Sequence, residues 1–265
     1  GMNFYDAICH AFSTMGTGGF STKNDSAANF TPLIQYAMIL FMTLGGTNLL
    51  LVYYSFKGNF FKIKRNEEIR TYLLIILVAT LIIFLWTYDP HVTNETTLRN
   101  ALFQVVSFMT TTGFVSCDYN YWATPAIIVL IMVMFSGAMS GSTTGGLKVV
   151  RIVLLMKNAN NIIKKGIHSN AFIPIKLDGK VVSDDVIYNV VAMFILYLIT
   201  LCIGILLLVA NKIQLEEAII CAVSSISNVG PGFGQSGGFG NFAHFPDVAK
   251  WTLAMLMYVG RLEIV

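Results

Sequence analysis

Charge is what this sequence has least of. Asp, Glu, Lys and Arg make up 12% of its 265 residues, about half the share in an ordinary soluble domain. With 55% hydrophobic residues and a mean hydropathy of +0.68, the composition excludes a water-soluble globule. Cysteine is scarce too. The four present (Cys9, Cys117, Cys202 and Cys221) have no metal-ligand spacing, and three lie in apolar stretches where a buried free thiol is the ordinary state. His91, His168 and His244 are scattered through connecting segments, again without ligand spacing. Acidic residues are almost absent from the long apolar runs, where a proton-coupled carrier would need them. Nothing in the composition calls for an organic cofactor or a nucleic acid partner.

What is present is a series of long apolar runs. Nearly uncharged stretches of about 18 residues or more read as membrane spans. Residues 33–54, 72–88, 125–136 with their continuation, 186–210 and 248–265 reach or approach that length. Basic residues gather in two of the connections. One holds Lys57, Lys62, Lys64, Arg65 and Arg70; the other holds Lys148, Arg151, Lys157, Lys164, Lys165, Lys176 and Lys180. The positive-inside rule places both in the cytoplasm. The opposite side carries Asp25, Asp89, Glu95, Asp118, Glu216, Glu217 and Asp247. Each of these acids alone is ordinary solvated surface, whereas the sidedness of the set would concentrate cations at an outer mouth.

Three distant stretches share one pattern. Counting back from Gly19, Gly113 and Gly230, an alanine stands twelve residues earlier (Ala7, Ala101, Ala218) and a serine six earlier (Ser13, Ser107, Ser224). The first two copies also share Met15 and Met109, Thr17 and Thr111, and Phe20 and Phe114; the third has Ile226 and Asn228 at the matching places. Such spaced repetition signals an architecture built by duplication. Each copy is a short apolar helix running into a small-residue turn: Phe4–Met15, residues 97–109 and Leu215–Ile226. A dozen helical residues cover roughly 18 Å, well short of the ~30 Å hydrocarbon thickness. Each loop must therefore dip in and return on the same face. The expected units are residues 1–70 (helix, turn and inner helix), 71–180 (outer helix, loop and an interrupted inner helix over 125–157) and 181–265.

The turns themselves suggest a chemistry. Gly16, Thr17, Gly18 and Gly19, then Thr110, Thr111, Thr112 and Gly113, then Ser227, Asn228, Val229 and Gly230 are nearly all small or oxygen-bearing. Their main-chain carbonyls could ring a bare cation, helped by the negative ends of the three short helices. No carboxylate lies in any turn, and a divalent site would want such hard charged ligands. A neutral cage suits a large monovalent ion, potassium before sodium. Close helix packing alone also uses Thr/Gly turns; three registered copies on one face weigh against that explanation.

Two further features invite attention. Gly137, Ser140, Gly141, Ser142, Thr143, Thr144, Gly145 and Gly146 interrupt an otherwise apolar inner helix and should unwind it at membrane depth. Leu147 separates Gly146 from Lys148, so the stretch lacks the spacing of a phosphate-binding loop. The weaker Gly45-Gly46-Thr47-Asn48 reads as close packing. Arg261 lies in the last apolar run, where it needs water or a partner; it either faces a pore or snorkels to the interface. Glu263 points to another face and is a poor local partner. Asp6, His10 and Ser13 could suggest hydrolysis, but the other copies have no histidine there.

The segments STMGTGGFS, SFMTTTGF and SISNVGPGFG, the break SGAMSGSTTGGLKVVR and the terminal YVGRLEI resemble the TrkH/KtrB superfamily of potassium uptake transporters, most closely its bacterial Trk type. The resemblance covers essentially the whole chain. It implies an all-α integral membrane protein with outer-helix, pore-loop and inner-helix units repeated around a central ion pore. It further implies potassium as the transported ion, with the twelve turn residues as filter, and a gate formed by the glycine-rich break and Arg261. Expected partners are a second copy in a homodimer, the lipid bilayer, and a cytosolic nucleotide-binding ring of TrkA type. The basic segments would dock that ring or meet anionic lipid. The family carries four such units, so the chain is expected to be a fragment lacking an N-terminal quarter or more.

Overall fold

The computed structural model describes residues 1–58, 60–167 and 174–262. His168, Glu263 and the end of the run expected over 248–265 lie outside the described residues, as does part of the second basic segment. The regular secondary structure of the described residues is helical apart from one small hairpin.

Helix α1 (Phe4–Met15) ends where the Gly16 N–H closes onto the Phe12 carbonyl at 2.9 Å. After a polar loop, α2 (Pro32–Gly45) starts on a proline, whose missing N–H is harmless in a first turn. The run expected as one span over 33–54 is not one helix. It breaks at residues 46–48, and α3 (Leu49–Phe56) leaves at 109° to α2. Gly46 ends the first piece, and the Asn48 side chain caps the second by accepting the Leu50 N–H at 2.8 Å. An Asn in this role satisfies a donor that a helix start would otherwise leave unpaired.

A short helix α4 (Phe60–Arg65) leads to α5 (Glu67–Trp86), which begins five residues before the expected boundary at Tyr72. The Asn66 side chain accepts the Ile69 N–H at 2.9 Å, and Glu67 and Glu68 occupy the first turn, where helix-dipole charge favours acids. Next come α6 (Asn94–Met109) and α7 (Thr124–Ser136), then a non-helical loop over 137–148 and α8 (Val149–Ile167). The loop is the interruption expected inside 125–157. A two-stranded antiparallel hairpin follows, β1 (Lys176–Leu177) and β2 (Lys180–Val181), with Asp178 and Gly179 at its turn. The chain ends with α9 (Asp184–Ala210), α10 (Leu215–Ile226) and α11 (Asp247–Arg261).

Among the described residues, α5 and α9 are long and apolar enough to cross a membrane, and the bent α2–α3 pair would make a third span. Their outer faces stay apolar and exposed, as at Leu74, Leu77 and Leu85 on α5 and Ile203 and Leu206 on α9. In water such faces would be a liability; in lipid they are the expected solvent-facing surface. The core lies instead around α6 and α10. Residues 103–109 of α6 and 220–226 of α10 are all buried. The C-terminal halves of these two helices are wrapped on every side, whereas α1 buries only Asp6, His10 and Thr14. The repeated alanine follows suit: Ala101 and Ala218 are fully buried, while Ala7 is exposed.

Candidate functional site: three turns and the loop against them

The three turns have one backbone geometry. In each, the residue two before the final glycine has positive φ: Thr17 at 49°, Thr111 at 50° and Asn228 at 58°. The next N–H (Gly18, Thr112, Val229) returns to the carbonyl of the repeated serine. Those bonds measure 2.8 Å to Ser13, 2.9 Å to Ser107 and 2.9 Å to Ser224. The final glycines also have positive φ, +68° at Gly19, +82° at Gly113 and +107° at Gly230. Two left-handed residues within three positions are costly for most side chains, which suits the glycine that ends each copy and the Asn of the third. The side chains of two of the serines add further bonds: Ser107 Oγ donates to the Phe114 carbonyl at 2.6 Å, and Ser224 Oγ accepts the Gly230 N–H at 3.1 Å.

The turns also touch in sequence order. A Cβ on Gly19 would stand 1.9 Å from the Thr112 carbonyl oxygen, and one on Gly113 would stand 2.1 Å from that of Val229. Gly19 and Gly113 are therefore each pressed against the carbonyl preceding the glycine of the following copy. Beyond the turns the returning segments repeat the same neighbour order. Val115 accepts from the Ala27 N–H at 2.9 Å and donates its own N–H to Ser26 Oγ at 3.1 Å. Tyr119 donates its hydroxyl to the Gly232 carbonyl at 2.6 Å, and Asn120 Oδ1 accepts the Gly234 N–H at 3.0 Å. Burial raises the Tyr119 phenol above its usual pKa, so it remains a donor at physiological pH. The second copy thus stands between the first and the third and touches both.

The loop over 137–148 touches all three turns. Thr17 Oγ1 donates to the Thr143 carbonyl at 3.2 Å, and Thr111 Oγ1 accepts the Gly145 N–H at 2.8 Å. A Cβ on Gly145 would fall 2.4 Å from the Ser227 carbonyl oxygen. One segment thus reaches all three turns. Arg261, at the end of α11, donates Nη1–H to the same Thr143 carbonyl at 3.0 Å. Of the two sequence readings, this places the guanidinium against the loop. Lys148 closes the loop on itself through the Thr144 carbonyl.

Of the expected site residues, the structure gathers all twelve turn residues together with Thr143, Gly145 and Arg261. Ser142 and Thr144 bond each other at 2.7 Å within the loop. Gly137 and Gly146 lie back to back where the loop opens and closes, and Gly141 takes the Leu49 N–H on its carbonyl at 3.3 Å. Two residues escaped sequence reasoning. Asn48, expected only to pack, donates Nδ2–H to the Ser140 carbonyl at 2.7 Å. Glu68, inside a helix expected to start later, accepts from Ser140 N–H at 2.6 Å and Ser140 Oγ at 3.0 Å. A polar Asn after Gly-Gly-Thr and the Asn-Glu-Glu start of α5 are both helix-start signals; neither tells which distant segment the side chain will meet. Asp6, His10 and Ser13 form no catalytic relay. His10 donates Nδ1–H to the Asp6 carbonyl at 2.7 Å and pairs Nε2 with Ser21 Oγ at 3.0 Å, while Asp6 Oδ1 accepts from Thr22 at 2.6 Å.

Apolar helices long enough to cross a bilayer, short helices that end in three matching turns, and a loop against those turns define a helical membrane protein. Irregular backbone within a bilayer is stable only when enclosed by protein or bordering water. The chain belongs to the TrkH family, described as a cation transport protein, whose pattern matches residues 1–265. It is 35% identical over 270 residues to the Trk system potassium uptake protein TrkH of Salmonella typhimurium, covering 100% of this chain and 55% of that protein. It is 33% identical to the Trk system potassium uptake protein TrkH of Escherichia coli K12, with 55% of that protein covered. The crystal structure of the potassium transporter TrkH from Vibrio parahaemolyticus superposes with a TM-score of 0.92 at 31% identity, over all of this chain and 57% of that one. The chain spans about half the length of the curated relatives it matches.

Proposed function

We propose that this protein takes up potassium across the bacterial inner membrane through a carbonyl-lined filter closed by an intramembrane loop. The observation that carries the reading is the order of the turns: Gly19 against the Thr112 carbonyl and Gly113 against the Val229 carbonyl. Main-chain oxygens at residues 16–19, 110–113 and 227–230 then surround one centre. Such oxygens can replace the hydration shell of a monovalent cation. The short helices α1, α6 and α10 each direct a C-terminal end, carrying roughly half a negative charge, toward that centre.

The gate is the loop over 137–148, with Gly137, Ser140, Gly141, Ser142, Thr143, Thr144, Gly145 and Gly146 as its movable part and Arg261 as its fixed cationic contact. Thr143 joins Thr17 on one side to Arg261 on the other, so the loop lies across the route an ion would take. A guanidinium at the same place repels a cation leaving the filter. The basic connections face the cytoplasm and the turns face outward. The working assembly is a homodimer regulated by a cytosolic nucleotide-binding ring, and each unit (1–70, 71–180, 181–265) contributes one turn.

Rubidium uptake by the full-length protein, in cells lacking their own potassium systems, tests the filter. Gly113→Ala and Gly19→Ala are expected to reduce uptake by at least tenfold with the protein still present in the membrane. Saturable uptake indifferent to both substitutions would favour a coupled carrier without a carbonyl filter.

A further inference from the structure

Glu68 is a buried carboxylate that the filter and gate leave without a role. It is 5% exposed. Its two oxygens take the Ser140 N–H at 2.6 Å and the Ser140 hydroxyl at 3.0 Å. Ser140 stands near the start of the loop, which runs from Gly137 to Lys148. One side chain on α5 therefore holds the first part of a loop that belongs to the α7–α8 connection. Bonds to an ionised acceptor are the stronger kind.

The position of Glu68 is itself set by the hairpin. Asp178, at the β1–β2 turn, accepts the Glu67 N–H at 2.6 Å and the Asn66 Nδ2–H at 3.0 Å. Lys157 on α8 pairs with the Glu67 carboxylate and also donates to the Lys176 carbonyl at 2.7 Å. A continuous set of polar bonds thus runs from the exposed hairpin, through the first turn of α5, to Ser140. Asn48 holds the Ser140 carbonyl at 2.7 Å from the opposite side.

We propose that Glu68 is the positioning residue of the loop, holding it against the three turns, and that the hairpin carrying Asp178 sets this clamp. The inference rests on the reading of the loop as the gate. Releasing the clamp lets the loop leave the turns, so flux rises. A change at the hairpin moves the first turn of α5 and reaches the loop through the same bonds.

The test uses rubidium uptake by the full-length protein, together with the rate at which a cysteine at Ser142 (S142C) reacts with a charged thiol reagent. Glu68→Gln is expected to raise uptake by about tenfold, the order that losing one charge-assisted bond allows, and to speed labelling. Glu68→Asp should recover part of the parental behaviour. Ser140→Ala reads the same contact from the loop side, and is the variant to use if Glu68→Gln lowers membrane content. The double variant should match Glu68→Gln alone, because coupled partners give non-additive effects. Multiplicative effects of the two substitutions would overturn the clamp. Gly145→Ala separates the two claims. If it shifts uptake and Glu68→Gln does not, the clamp is wrong and the gate stands. If neither shifts uptake, the gate reading fails and the clamp fails with it.

Discussion

The serine six positions before each turn glycine explains why the repeat has the spacing it does. A short helix that ends at membrane depth leaves its last carbonyls without helical partners. In all three copies the serine carbonyl takes the N–H of the residue before the glycine. That bond fixes the left-handed residue between them, which is why Thr17, Thr111 and Asn228 share nearly one φ. Ser107 does more, since its hydroxyl also occupies the buried Phe114 carbonyl at 2.6 Å. Ser107→Ala should cost about 1–3 kcal/mol, the penalty of a buried acceptor left unpaired, seen as a lower Tm in detergent; an unchanged Tm would remove this role. The glycine offsets and the serine were legible from the sequence alone. Which carbonyl each glycine faces was not, because that contact joins copies about a hundred residues apart.

At the scale of elements, the ranges of α1 and α10 could be read to the residue, because an apolar run, its small-residue end and its flanking polar residues all agree. The α2–α3 break was not read as a break. Residues 33–54 contain no charge and no interior proline, and the one local mark, Gly45-Gly46-Thr47-Asn48, is equally the signature of close packing. Its cause is tertiary: a Cβ on Gly46 would stand 2.6 Å from the Tyr72 hydroxyl and 2.7 Å from Thr110 Cγ2. The helix gives way at the point where α5 and the end of α6 approach its backbone. Gly46→Leu should therefore disturb the adjacent turn at Thr110, lowering Tm and uptake together; a stable, fully active variant would show that the approach does not matter. Asn48→Ala removes a cap worth about 1 kcal/mol and one of the holds on Ser140. It should raise uptake as well as lower Tm, whereas a purely structural cap would lower both.

The whole molecule is organised by one neighbour order repeated at three depths. Copies one, two and three touch in that order at the turns, again through Ala27 and Val115 and through Tyr119 and Gly232, and again through the loop that reaches Thr17, Thr111 and Ser227. Burial follows the same order, with α6 enclosed and α1 open on one side. The all-α membrane architecture was legible because hydropathy and repeat spacing are properties of the chain alone. The network from Asp178 through Glu68 to Ser140 was not, since each bond joins residues more than seventy positions apart. Tyr119→Phe removes one link between the second and third copies, the hydroxyl bond to Gly232. It should lower discrimination between potassium and sodium while leaving membrane content unchanged, read from competition against rubidium uptake.

The most direct measurement is anomalous diffraction from crystals of the full-length protein soaked in a thallium or rubidium salt. The account predicts ordered cation density at the centre shared by residues 16–19, 110–113 and 227–230, lost when sodium replaces the soak. Strong density elsewhere with none at that centre would contradict it.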